Sequence, residues 1–256
     1  MPLVSIVTPV YNAARWLPDT LASVRAQTFP DWEHILVDDG STDNSIEIIE
    51  ANAREDARVH LLRTPSNLGP SAARNLALDS SRGRFIAFFD ADDLWLPEKL
   101  ARCIQWMTEH GYTFIYHDYR HISHDGARVG RLVQGPEELN MRTLHTRRGT
   151  GGCLSVVLDR EKVPHLRFPA VSPLHAEDFC LWALLVKQGY TGHRLAADLG
   201  RYRLSPKSRS SNKLACAVNA WRLYREFSRL SFARASFWWM QYAWNSFWLY
   251  CHARPR

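Results

Sequence analysis

An unbroken apolar run, Phe85-Ile86-Ala87-Phe88-Phe89, leads straight into Asp90-Ala91-Asp92-Asp93. Five apolar residues in a row suit a strand buried on both faces, as in a parallel sheet covered by helices. Three carboxylates then stand at the carboxyl edge of the sheet, where open α/β folds bind ligands. Acids this close repel one another unless positive charge lies among them. A hard divalent cation with oxygen ligands, Mg2+ or Mn2+, meets that need. The plainer alternative is a solvated acidic turn ahead of a helix that starts near Pro97.

The same pattern recurs upstream. Leu3 to Thr8 reads as a first strand, ended by Pro9-Val10-Tyr11-Asn12, and Leu17, Leu21 and Val24 follow at helical spacing. Trp32 to Val37 reads as a second strand and again runs into acids, Asp38-Asp39-Gly40-Ser41-Thr42-Asp43, before a helix marked by Ile46, Ile49 and Ala53. Val59 to Leu62 is a third strand, and Gly69-Pro70 opens a helix through Ala72, Ala73, Leu76 and Ala77. Strand and helix thus alternate four times within about 90 residues, which predicts a parallel sheet with right-handed crossovers. Beyond it the spacing predicts a helix through Leu100, Ile104 and Met107 and a strand from Thr113 to Tyr116. A helix near Glu137 to His145, a Gly149-Thr150-Gly151-Gly152 loop and a strand from Cys153 to Leu158 come next. His175-Ala176-Glu177-Asp178 opens a helix that Gly189 closes.

Charge divides the chain unevenly. From Asp198 onward there are eleven Lys/Arg and two Asp/Glu; the residues before it hold 21 and 24. A mildly acidic body with a strongly basic tail points to an anionic surface as the tail's partner, not to a nucleic acid. Met1-Pro2 leads directly into a strand pattern, so no secretory signal is expected. The five cysteines are scattered, odd in number and form no Cys-x-x-Cys pair, which suits reduced thiols in a cytoplasmic protein. There is no Gly-x-Ser-x-Gly elbow, no Gly-x-x-x-x-Gly-Lys-Ser/Thr loop and no Gly-x-Gly-x-x-Gly. That argues against α/β-hydrolase, P-loop and dinucleotide chemistry.

Each candidate group has a plainer reading. Asp38 and Asp39 could accept a hydrogen bond from a base or ribose, or could cap a helix, a task Ser41 or Asp43 could also fill. Arg74 could pair with phosphate oxygens or make a surface ion pair. Glu177 and Asp178 could simply favour a helix N-terminus, or one could take a proton from an attacking hydroxyl. His117, His121 and His124 could be a metal face only on a helix, whereas His117 falls at a strand end.

Taken together, Val4-Ser5-Ile6-Val7-Thr8-Pro9-Val10-Tyr11-Asn12, Gln27-Thr28 with Trp32-Glu33, Val37 to Asp43, Asn67-Leu68-Gly69 with Ala73-Arg74-Asn75, Phe89 to Asp93, and Glu177-Asp178 with Leu181-Trp182 resemble the family 2 glycosyltransferases. The likeness covers about residues 3 to 205. It implies an α/β GT-A fold: a Rossmann-like, mostly parallel central sheet flanked by helices. The expected catalytic domain is 1–205, with a nucleotide-sugar half at 1–110 and an acceptor half at 111–205. A basic, aromatic helical extension takes up 206–256. The resemblance further implies that Pro9, Tyr11 and Asp39 hold the base, uracil in the commonest donors. Arg74 would lie near base or phosphates. Asp90, Ala91 and Asp92 would meet ribose and diphosphate, with Asp92 and Asp90 on Mn2+ or Mg2+. Asp178 would be the general base and Glu177 would contact the acceptor or orient the site. The implied reaction is inverting transfer of one sugar from a nucleotide-sugar to a glycan or lipid-linked glycan. One departure stands out: Ser205 lies where many relatives carry a histidine.

Two other functions fit the acids in part. A sugar-nucleotide pyrophosphorylase would need a Gly-rich basic loop where Pro9-Val10-Tyr11-Asn12 stands. A non-catalytic sugar- or membrane-binding relative would not need Asp39, Asp92 and Asp178 together. In the tail, Arg222, Arg225 and Arg229 are expected on one helix face, and Phe232 to Cys251 is almost wholly apolar or aromatic. Tryptophans through its middle suit a helix lying in a membrane surface better than one spanning it. Peripheral contact with an anionic membrane through 214–251, at the inner face of the cytoplasmic membrane, is therefore expected. Packing on the catalytic domain and a dimer contact are the alternatives.

Overall fold

The computed structural model describes residues 2–146, 152–170, 176–205 and 213–252; Gly149, Thr150, Gly151 and His175 lie outside them. The first half is a run of parallel crossovers. Its elements are β1 (Val4–Val10), α1 (Leu17–Arg25), β2 (Trp32–Asp38), α2 (Ser45–Glu55), β3 (Val59–Arg63), α3 (Pro70–Ser80) and β4 (Phe85–Phe88). A two-residue strand β5 (Leu94–Trp95) and helix α4 (Lys99–His110) complete it. The second half carries β6 (Phe114–Ile122), β7 (Val129–Val133), β8 (Glu138–Leu139), α5 (Met141–Thr146), β9 (Val157–Asp159), α6 (Glu177–Lys187) and β10 (Gly192–Arg203). Then come α7 (Lys213–Arg222), a π-helical turn at Leu223–Phe227, and α8 (Phe232–His252).

Among the described residues one ten-stranded sheet joins both halves in the order β3-β2-β1-β4-β9-β6-β10-β5, with β7 on β6 and β8 on β10. The first four strands are parallel, as the alternation predicts. The remainder is mixed, because β9 enters antiparallel between β4 and β6. Period-two alternation sends side chains to two cores. Val4, Ile6 and Val10 of β1 with Phe85 and Ala87 of β4 meet α1, α2 and α4 on one face. Val7, Ile86 and Phe88 meet α3 and α6 on the other, and Leu223, Tyr224 and Ala235 of the tail join that core.

Three expectations needed correction. Cys153 to Leu158 is not one strand. Ser155 N–H bonds to Gly152 O at 3.0 Å and closes a turn, Trp95 Nε1 takes the Leu154 carbonyl, and pairing begins only at Val157. The helix near Glu137 starts at Met141 because Glu138–Leu139 pair with β10. Arg229 leaves the face shared by Arg222 and Arg225: the helix ends at Phe227 and Arg229 turns at φ 52°.

Some residues of the sequence motifs, and others near them, are fasteners of the fold. Glu33, 2% exposed, accepts Ser5 Oγ at 2.6 Å and both the N–H and Nε of Arg82. Gln27 clamps the Leu96 carbonyl and the Leu100 N–H. Gly83 donates to Ser5 Oγ, and a Cβ there would lie 2.6 Å from the Ser5 nitrogen. Gly83→Ala is therefore expected to lower the unfolding free energy by about 1–3 kcal/mol in urea melts, since neighbouring backbone must move to admit it.

Two buried histidines set a pH dependence. His34 Nε2 lies 2.8 Å from Thr8 Oγ1, and His117 Nδ1 lies 2.7 Å from the Asp118 carbonyl. Burial pushes both down to about 3, with His60 adding to the shift at His34 and Lys99 at His117. The unfolded chain gains these protons below about pH 6.5, whereas the folded chain resists them to about pH 3. Stability is thus expected to be full above about pH 6.5 and to fall on acidification, by at most ~1.4 kcal/mol per pH unit per histidine. Urea melts on either side of that pH check it, and His34→Gln should flatten the slope.

Candidate active site

The sheet order fixes where a ligand can enter. The chain runs outward from β1 through β2 to β3, then returns to place β4 on the other edge of β1. Such a reversal opens a crevice at the carboxyl ends of β1 and β4. Val7 pairs with Phe88 and Val10 with Asp38, so Pro9 and Tyr11, Asp39, and Asp90 leave three neighbouring strand ends. Tyr11 is 53% exposed there. Its loop is held from below: Ser41 Oγ accepts the Asn12 N–H, Asn12 Oδ1 accepts the Thr42 N–H, and Asp43 Oδ2 accepts the Ala14 N–H.

Asp39 is buried and already engaged. Its Oδ1 accepts Thr64 Oγ1 at 2.7 Å and the Leu68 N–H at 2.9 Å; its Oδ2 accepts the Gly69 N–H at 2.7 Å. It thereby holds the loop that opens α3, where Gly69 sits at φ 87°. A carboxylate has about four acceptor sites, so these three bonds leave one.

Arg74, expected beside base or phosphates, is 4% exposed and bridges two acids. One terminal nitrogen reaches Asp90 Oδ1 at 2.6 Å and the other Glu177 Oε1 at 3.0 Å, while the guanidinium lies 5.3 Å from the Phe168 ring centre. Burial disfavours its charge, but Cys153, Asp90 and Glu177 outweigh that and hold its pKa well above the usual guanidinium value. The next residue, Asn75, exchanges two hydrogen bonds with the Phe168 backbone. The Ala73-Arg74-Asn75 segment thus couples the loop after β4 to the start of α6.

The acids after β4 are strained electrostatically. Burial, and then the charge of Asp90, push the Asp92 carboxyl up to about 6, with Arg203 pulling the other way. Asp93 is 1% exposed; its Oδ1 accepts the Arg203 N–H at 2.8 Å, and burial with Asp92 and Asp90 drives its pKa well above the carboxylate range. Asp93 is a structural acid. Arg203 also gives its Nε to the Asp92 carbonyl at 2.7 Å and a terminal nitrogen to the His124 carbonyl, so β10 locks this turn. Sequence reading missed that role, since only the sheet brings residue 203 to residue 92. Ala91 is buried, and its carbonyl accepts Thr20 Oγ1.

Among the described residues no three His, Cys, Asp or Glu side chains form a metal cage. His117 is buried within β6, and His121 packs on Tyr119 and Tyr202. Asp90 and Asp92 do form a partly open pair whose charges oppose each other. Such a pair suits Mg2+ or Mn2+, which take their remaining ligands from water and substrate phosphates.

Glu177, 6% exposed, and Asp178, partly exposed, begin α6. Asp178 Oδ1 accepts the Phe179 N–H at 2.7 Å. The Tyr119 phenol lies in the field of both Asp93 and Asp178: burial first, then those two charges, push its pKa well above the usual phenol value. Arg74 thus ties the β4 loop to the α6 N-terminus, and the Tyr119 phenol lies near acids of both.

Comparison with known proteins bears on the family and the fold. Residues 5–158 match the family described as glycosyl transferase family 2. The chain is 37% identical over 245 residues to a putative teichuronic acid biosynthesis glycosyltransferase, TuaG, of Bacillus subtilis strain 168, covering 96% of each chain. It is 36% identical to the UDP-Glc:alpha-D-GlcNAc-diphosphoundecaprenol beta-1,3-glucosyltransferase WfgD of Escherichia coli, over 91% of this chain and 89% of that one. Among solved structures, S. aureus TarS in complex with UDP-GlcNAc superposes with a TM-score of 0.67 at 21% identity, over 96% of this chain and 73% of that one. The mannosyltransferase PcManGT of Pyrobaculum calidifontis, with GDP-Man and Mn2+, gives 0.69 at 16%, over 98% and 75%. A matched profile over more than half the residues, near full-length relatives and a GT-A sheet with acids at its switch point lead to one assignment: the chain is a glycosyltransferase of family 2.

Proposed function

We propose that the chain transfers one sugar, with inversion, from a UDP-sugar to a hydroxyl of a lipid-linked glycan. The reaction belongs to cell-surface polysaccharide synthesis at the inner face of the cytoplasmic membrane. The observation that carries this reading is the Asp90–Arg74–Glu177 bridge, which ties the acidic strand end to the helix bearing Asp178. The relatives' names supply the chemistry of the two substrates: a UDP-glucose donor and a diphosphoundecaprenol acceptor for the E. coli enzyme. Family membership sets aside the pyrophosphorylase alternative.

In this mechanism the base rests beside Pro9 and Tyr11, its ring N–H directed at the fourth acceptor site of Asp39. Asp90 and Asp92 would hold Mn2+ or Mg2+, which would supply positive charge to offset the negative charge that develops on the leaving diphosphate. Arg74 fixes Asp90 and Glu177. Asp178 takes the proton of the acceptor hydroxyl as that oxygen attacks the anomeric carbon from the face opposite the diphosphate. One displacement inverts the centre.

The test is UDP release from a panel of UDP-sugars with a GlcNAc-diphosphate-lipid acceptor and Mn2+, the product's anomeric configuration being read by NMR. Acceptor-dependent release with an inverted linkage is expected. A retained linkage, or release unaffected by Asp92→Ala, would contradict the assignment.

A further inference from the structure

Helix α8 has two apolar faces, and among the described residues only one of them is covered. Its inner face packs on the protein: Ala235 is fully buried, the Trp238 ring lies along His145, Trp239 Nε1 donates to the Ala217 carbonyl, and Asn245 Nδ2 donates to the Thr146 carbonyl at 3.0 Å. The outer face should then be polar. Instead Phe237, Met240, Trp244, Phe247 and Trp248 are 54, 59, 66, 63 and 45% exposed. At about 100° per residue these five fall within one arc of roughly 100°. Among the described residues, no helix is long and apolar enough to cross a membrane.

The charge around this stripe has one sign. After Glu226 the sequence contains no Asp or Glu, while Arg229 and Arg234, both exposed, stand before it and Arg254 and Arg256 follow. Arg234 sits one turn before Phe237, at the edge of the stripe. An aromatic stripe flanked by arginines matches the interface of an anionic bilayer, where indole and phenyl rings settle among the headgroups and each basic residue adds attraction. A second copy of the same face would bring like charges together.

We infer that the outer face of α8 is a membrane-docking surface that lies in the headgroup layer of an anionic bilayer. Neither the donor nor the metal assignment enters this inference. It does have a consequence for catalysis. Helix α8 packs on α5, α5 packs on α6, and α6 opens with Glu177 and Asp178. Docking through α8 would therefore hold the Asp178 end of the cleft in the layer of the fold that rests on the lipid.

The experiment is flotation of the full chain with phosphatidylglycerol-containing vesicles and with pure phosphatidylcholine. The chain is expected to float with the first and to stay down with the second, and high salt should release it. Phe237→Gln, Trp244→Gln and Phe247→Gln combined should weaken vesicle binding at least about tenfold, with an unchanged melting temperature because these side chains lie outside the core. Arg222→Gln, Arg229→Gln and Arg234→Gln combined should weaken it through charge alone and leave the apolar stripe intact. Failure to float, equal flotation with both lipids, or full flotation of both variants overturns the inference. A dimer in sedimentation that does not float and that the aromatic substitutions disperse assigns the face to a second copy and equally overturns it.

Discussion

Arg74→Met is expected to cost about 3–5 kcal/mol of stability, because it removes the guanidinium that offsets the buried charge of Glu177. The same change should lower kcat by at least about a hundredfold, since the Asp90 loop and the α6 N-terminus lose the tie between them. The double variant Arg74→Met/Glu177→Gln separates the two effects. Removing both charges should restore most of the stability, as replacement of whole buried ion pairs often does, while the rate stays low. Urea melts and UDP-release assays read both quantities. If Arg74→Met instead kept normal stability and only raised KM for the donor, the guanidinium would be a phosphate ligand and the bridge incidental.

Asp178→Asn is expected to lower kcat by about 10²–10⁴, the usual contribution of a positioned base, while the melting shift produced by the donor persists. Asparagine keeps the size of the side chain and its bond from the Phe179 N–H, but cannot accept the acceptor's proton. Activity within a few-fold of the parent would place the base elsewhere. Glu177→Gln serves as the contrast. Glu177 is 6% exposed and held by Arg74, so its substitution should act on stability as much as on rate.

The contrast between these neighbours shows what sequence does and does not disclose. The strand ends were legible because a buried parallel strand must be apolar throughout, so the first acids after Val37 and Phe89 mark the sheet's edge. The convergence of those edges follows from the crossover rule alone. Arg74 was legible as important, but its partner was not: burial at 4% and two carboxylates from residues 90 and 177 appear only once α3 packs beneath both. Asp39 reads as a ligand group and also proves to be the anchor of the 64–69 loop. The strand β10 was missed for a local reason. Its pairing with β6 shifts register between Leu195 and Asp198 and again before Gly200, which breaks the alternation that marks a strand. With β10 unseen, Arg203 had no route to Asp92 and Asp93. In the tail, composition predicted packing and surface contact as rivals; one face of the helix packs on the protein and the other is apolar and exposed.

A crystal structure of the chain with UDP and Mn2+ tests the central claim most directly. The account predicts the diphosphate in the crevice between the ends of β1 and β4, the cation on Asp92 and Asp90, uracil between Tyr11 and Asp39, and the Asp178 carboxylate open to the vacant sugar site. Nucleotide bound away from that crevice, or an Asp178 side chain turned from the diphosphate, would contradict it.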